Sequence, residues 1–94
     1  MTVIQSWKRI KFPEERDVRY AYFEKDLPTG ETITTATAVV ESGDVVVDSV
    51  VWTGTTVTLV ISAGTKNSVI RITITSNTGK IVVGKAFQRL DGAG

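Results

Sequence analysis

Apolar and polar residues alternate with a period of two in short runs, and turn residues separate the runs. The pattern is cleanest where Ile70, Ile72 and Ile74 oppose Arg71, Thr73 and Thr75, and where Val57, Leu59 and Ile61 alternate with Thr56, Thr58 and Val60. That spacing puts each set on one face of a β-strand. Val18–Phe23 reads as an earlier strand, ended by Asp26-Leu27-Pro28-Thr29-Gly30, where Pro and Gly favour turn geometry. Glu31–Val40 and Val45–Trp52 follow, with Glu41-Ser42-Gly43-Asp44 between them. Thr53-Gly54 predicts a two-residue hairpin loop into Thr55–Ser62. After the loop 63–67 and the run centred on Ile72, Ser76-Asn77-Thr78-Gly79 turns the chain into Lys80–Leu90. Gly84 inside that last run predicts a bulge or bend.

Fourteen Val, eight Ile and fourteen Thr in 94 residues supply stiff, β-branched side chains suited to a pleated, half-buried surface. Six runs, seven with a paired N-terminus, recur at the spacing of β-sandwiches. Strands with one apolar face must bury it, and at this length the nearest partner is a second sheet of the same chain. The expected fold is all-β: an immunoglobulin-like β-sandwich of six to seven antiparallel strands with an extended N-terminal arm, a small open barrel being the alternative. The arm takes residues 1–16 and the sandwich 17–94. Pro13 cannot donate to a sheet ladder and biases Phe12 toward extended backbone. The arm's Val3, Ile4, Trp7, Ile10 and Phe12 are numerous for a free tail, so it is expected to dock, on its own domain or on a neighbour. Trp7, Lys8, Arg9, Ile10, Lys11 and Phe12 are the candidate protein interface, since Trp is enriched at binding hot spots. Trp52, at the end of a Val-rich run, is expected in the core.

Charge and chemistry narrow the function. Eleven Lys and Arg against ten Asp and Glu do not suggest an electrostatic nucleic-acid binder. The sequence has no histidine and no cysteine, which removes disulfides, thiolate zinc sites and His-based triads. Gly79-Lys80 lacks the glycine spacing and the following Ser or Thr of a phosphate-binding loop, and Glu14-Glu15 and the turn acids read as solvated. No catalytic residue, cofactor or metal site is expected, and the chain reads as a non-enzyme. The longest apolar stretches are far too short to span a bilayer, and the N-terminus lacks the apolar segment of a signal peptide. Residues 27–62 carry Glu31, Glu41, Asp44 and Asp48 and no cation, whereas 63–94 carry five cations against Asp91. Two readings stand: cross-strand pairing on solvated faces, which the small worth of surface pairs favours, or a polar subunit that joins the next copy head to tail.

Several motifs in order resemble the small immunoglobulin-like virion proteins of tailed bacteriophages, in particular the fiber-tail adaptor family. The resemblance covers residues 11–90. It rests on Lys11, Pro13 and Glu15, the Tyr-containing strand from Tyr20 to Leu27, Gly30-Glu31-Thr32-Ile33, the Ser-Gly turn at 42–43, Thr-Gly-Thr-Thr at 53–56, Ala-Gly-Thr at 63–65 and the stretch 72–80. Arg19-Tyr20 and Phe23-Glu24 stand where Asp-Tyr and Asp-Trp pairs are expected, and Ala38 where an aromatic is common. The resemblance implies a non-enzymatic, multi-copy virion component, made in the host cytoplasm. It would join tail or neck to fiber proteins as a ring, without contacting nucleic acid or membrane. A capsid cement or decoration protein and a carbohydrate-binding module with exposed aromatics are the alternatives.

Overall fold

A computed structural model describes the backbone of residues 2–11 and 15–90 and the side chains of Lys11 and residues 15–90. Seven strands follow in chain order: β1 (Thr2–Lys11), β2 (Asp17–Tyr22), β3 (Ile33–Ser42), β4 (Val46–Thr53), β5 (Thr56–Ser62), β6 (Ser68–Ser76) and β7 (Ile81–Leu90), with one 3-10 turn at Glu24–Asp26. They form a four-stranded sheet, β1-β7-β6-β3, and a three-stranded sheet, β2-β5-β4. The expected all-β sandwich is what the chain adopts. Six strands pair antiparallel, and β1 lies parallel to β7, with Thr2 opposite Val83 and Trp7 opposite Gln88. Residues 2–11 of the arm are therefore the edge strand of the larger sheet.

The two runs with the cleanest alternation carry the core. Val57, Leu59 and Ile61 of β5 and Ile70, Ile72 and Ile74 of β6 are buried, and the residues between them are not. They join Ala21, Phe23, Leu27, Ile33, Val45, Val82, Ala86 and Leu90 in one apolar cluster shared by both sheets. Each fully buried Ile or Leu contributes about 1.5–3 kcal/mol relative to an exposed one.

Three local expectations are corrected. Gly84 makes no bulge: β7 pairs with β6 without a register shift, Gly84 opposite Ile72. The irregularities lie in the edge strands instead, between Trp7 and Lys11, between Ile33 and Thr35, between Val40 and Ser42, and between Val47 and Ser49. The β4–β5 hairpin loop is Gly54-Thr55, one residue later than expected, because Thr53 pairs with Thr56. Gly54 leads that loop at φ 61°, the conformation a two-residue turn with Gly first requires. Trp52 is not in the core. The β4 bulge brings it opposite Val57, on the inward side of its sheet, but it lies on an edge strand beside the terminal hairpin and stays 37% exposed.

Candidate functional site

In a strand lying on a core, the larger apolar side chains are expected inward. β2 does the reverse. Directly opposed residues on antiparallel strands point to the same face. Asp17, Arg19 and Ala21 lie opposite buried Ile61, Leu59 and Val57, whereas Val18, Tyr20 and Tyr22 lie opposite Val60, Thr58 and Thr56 on the outside. Tyr22 is 62% exposed, and Arg19 is 5% exposed. A one-residue slip would exchange the two sets, so the register of β2 has to be held.

Two groups hold it. Phe23, in phase with Arg19 and Ala21, is fully buried, and its N–H donates to the Thr55 carbonyl at 2.9 Å. The Arg19 guanidinium makes a local network: Nε donates to Gln88 Oε1 at 2.7 Å, Nη1 donates to the Val18 carbonyl at 2.9 Å, and Nη1 lies 3.0 Å from Asp17 Oδ2. Arg19 Nη2 is buried without a hydrogen-bond partner among the described residues. A buried donor left unpaired costs about 1–3 kcal/mol, so the strand keeps this phase against a local penalty.

The result is an uncharged outer face on the three-stranded sheet. Tyr20, Thr58 and Val51 form one row across it, Val18, Val60 and Ser49 a second, and Tyr22, Thr56 and Thr53 a third, with Val46 beside Ser62. Val18, Tyr20, Tyr22, Val46 and Val51 are all exposed, and the two tyrosine rings stack with centroids 6.4 Å apart. No Asp, Glu, Lys or Arg occupies these positions. At the rim, Arg16 Nε lies 3.2 Å from Asp48 Oδ2 at the β4 bulge. Composition gave no sign of this face. The signal was local: an arginine in phase with a buried phenylalanine four residues on, and two tyrosines out of phase with it.

The outer face of the four-stranded sheet is different. Glu41 sits between Arg71 and Lys85, at 3.4 and 3.2 Å; threonines separate the exposed Val39 from Ile81, and the Arg71–Lys85 pair separates Ile81 from Phe87. The acids of residues 27–62 are all engaged within the chain. Glu31 accepts the hydroxyls of Ser76 and Thr78 at 2.8 and 2.6 Å, Asp44 accepts the Thr65 hydroxyl and the backbone N–H groups of Thr65 and Lys66, and Asp48 pairs with Arg16. Of these four acids, Glu41 alone forms ion pairs with cations of residues 63–94, across the strands, whereas hydroxyl and N–H donors satisfy Glu31 and Asp44. The Thr78 hydroxyl, then that of Ser76, holds the Glu31 carboxyl below its ordinary value, and the Thr65 hydroxyl does the same for Asp44.

The interface residues expected from sequence fall unevenly. Trp7, Lys8, Arg9 and Ile10 lie in β1, Trp7 at the register position opposite Gln88. Lys11 is fully buried and its Nζ donates to the Ala63 carbonyl. Phe12 lies outside the described residues. Among the described residues no group of three Asp or Glu converges as a metal site, and no helix is long and apolar enough to cross a membrane.

No curated protein matches the chain. One family does, described as podophage GP4 fiber-tail adaptor protein gp77, and the match begins at the buried Lys11 and runs through β2 to β6 into β7. With residues 11–86 matched, the chain belongs to that family and is a structural component of the phage tail.

Proposed function

We propose that the chain fastens fiber proteins to the phage tail, in several copies around it, with the outer face of β2-β5-β4 as the contact and without chemistry of its own. One observation carries this reading: β2 buries an arginine and leaves two tyrosines and a valine outside. Places where local pattern and structure disagree tend to be functional. Contiguous apolar surface without charge resembles the centre of a protein interface, where aromatic residues are enriched and charged ones depleted. Three strands about 4.8 Å apart and six residues long present roughly 300 Å². A stable interface buries about 800 Å² per partner, so this face is the centre of a contact that extends past its rim.

The immunoglobulin-like reading is supported by strand order. Lettered A to G in sequence, the sheets are B-E-D and A-G-F-C, and immunoglobulin constant-type sandwiches likewise set B, E and D against C, F and G. The copy number of a tail ring, about six to twelve, separates this role from a capsid cement present in hundreds.

The test is binding of the full chain to tail particles that lack it. Tyr20→Asp and Val51→Asp should each weaken binding about thirtyfold or more, the effect of losing one hot-spot contact, with the thermal midpoint held within a few degrees. Thr73→Asp, on the opposite face, should bind as wild type. Face variants that bind normally would overturn the proposal.

A further inference from the structure

The sandwich has open sheet edges, and three of the strands at them carry recognised protection against pairing with other chains. β3 is bulged near both ends, β4 is bulged at Asp48, and β2 is only six residues long with Asp17 and Arg19 turned inward. Bulges, short strands and inward charges are the usual devices that blunt an edge. β7 has none of them. Its residues Ile81–Gln88 pair with β6 in unbroken register, and among the described residues the strand on its other side is β1.

β1 differs from the strands it joins. It alone is parallel, a pairing slightly less stable per residue than antiparallel. It also lies outside the family match except for its last residue, Lys11. That residue is buried, and its amine meets the carbonyl of Ala63, which stands at φ 56°, a left-handed conformation that costs a non-glycine residue about 1–2 kcal/mol. The matched stretch thus begins where a lysine plugs into a bent loop, and the strand before it lies outside the match.

We infer that the β7 edge is a strand-acceptor site and that, in the assembled ring, residues 2–11 of the neighbouring copy fill it. The inference rests on the multi-copy reading above. A second copy is the occupant because β7 already takes this sequence in this register, with Lys11 in the Ala63 socket. An exchanged strand therefore repeats every contact on the neighbour while its own backbone tethers it to the donor, the usual logic of domain swapping. Reach permits it. Six Cα–Cα steps join Lys11 to Asp17 and span at most about 21 Å, and the molecule is 21 and 19 Å across its short axes. Exchange would also give Trp7, Lys8, Arg9 and Ile10 a role between copies.

The sequence contains no cysteine, so engineered thiols report cleanly. Ser6 pairs with Phe87 and Ile4 with Lys85 across the β1–β7 ladder. Neighbouring strands are about 4.8 Å apart, within disulfide reach. The double variants S6C/F87C and I4C/K85C, oxidised as dilute free chains, select the pair that bridges within one chain. The two single variants of that pair are then mixed, bound to tail particles and oxidised. A mixed disulfide joining one chain of each kind, at twice the chain mass, is expected, as is a covalent ladder from the double variant. Bound particles that yield only bridges within single chains overturn the inference. Binding itself reads the adaptor role separately: if the wild-type chain does not bind, that role fails, and exchange is judged on the concentrated free chain, where absence of the mixed disulfide overturns it.

Discussion

The two outer faces of this sandwich are built from the same alternation and end up opposite in character. On the four-stranded sheet, threonines and the Glu41–Arg71–Lys85 cluster keep the surface wet, and exposed apolar residues are interrupted by charge. On the three-stranded sheet, Val18, Tyr20, Tyr22, Val46 and Val51 are exposed with no charge among them. Both sheets bury their inner residues in one core, so the outer apolar face is not needed to close the fold. Its presence beside a buried Arg19 is the observation behind the proposed contact.

The contrast predicts that large side chains on the outer face carry little stability. Ile72→Ala, in the core, should lower the free energy of unfolding by about 2–5 kcal/mol. Tyr22→Ser removes a larger side chain, yet should cost about 1 kcal/mol or less, the scale of a cross-strand pair. Urea titration of both variants decides the matter. Equal losses would make the tyrosine face a structural element and end the comparison.

Arg19 is the next lever. Arg19→Ala leaves Gln88 Oε1 without the guanidinium it accepts from and removes the cation 3.0 Å from Asp17, so a loss of about 2–4 kcal/mol is expected. Replacing Arg19 and Gln88 together by leucine should recover much of that loss, since a buried polar pair is often matched by apolar residues of similar volume. A double-mutant cycle on thermal midpoints measures the coupling. Independent, additive effects would show that the pair does not hold β2 in phase.

Where a strand faced the core squarely, alternation alone located it: β5 and β6 have the faces that Val57–Ile61 and Ile70–Ile74 announce. The family resemblance, carried by turn motifs, is matched over residues 11–86. Three things were not legible. Gly84 packs inward in a regular central strand, and nothing local distinguishes that from a bulge. Trp52 follows a bulge at Asp48 that resets the phase of β4, and its exposure depends on lying at a sheet edge, which is a fact of topology. The inverted β2 depends on a hydrogen bond to Gln88, sixty-nine residues away, which no window of sequence contains.

Smaller effects come from the carboxylates that tie the loops at the sandwich ends. Glu31 and Asp44 have folded-state pKa values held below 4.5 and 3.8 by their hydroxyl and N–H donors. A carboxylate with a lowered folded pKa stabilises fully above its unfolded value, and that contribution fades as pH falls through the folded one. Thermal midpoints should therefore be flat in this respect near neutrality and should decline below pH 4.5, where Glu31 begins to lose its advantage, and further below 3.8 for Asp44. Glu31→Gln and Asp44→Asn together should flatten that decline. An unchanged acid slope would mean that these clamps persist in the unfolded chain or contribute nothing.

The smallest effect returns to the charged face and tests its sign. Glu41 serves two cations, and Arg71 and Lys85 are themselves a directly opposed pair on β6 and β7. Glu41→Gln removes an attraction and also leaves two like charges facing each other, which is unfavourable across a ladder. Since the Arg71 and Lys85 side chains are 48% and 45% exposed and Glu41 26%, solvent screens the cluster and the loss should be about 1 kcal/mol or less. It should shrink toward zero in 1 M salt, where the screening length is about 3 Å. Tail binding should not change, because this face is wet in the free chain and is assigned no partner. If Glu41→Gln weakened tail binding while the fold held, both faces of the sandwich would belong to the contact, and charge could not be what distinguishes the one that binds.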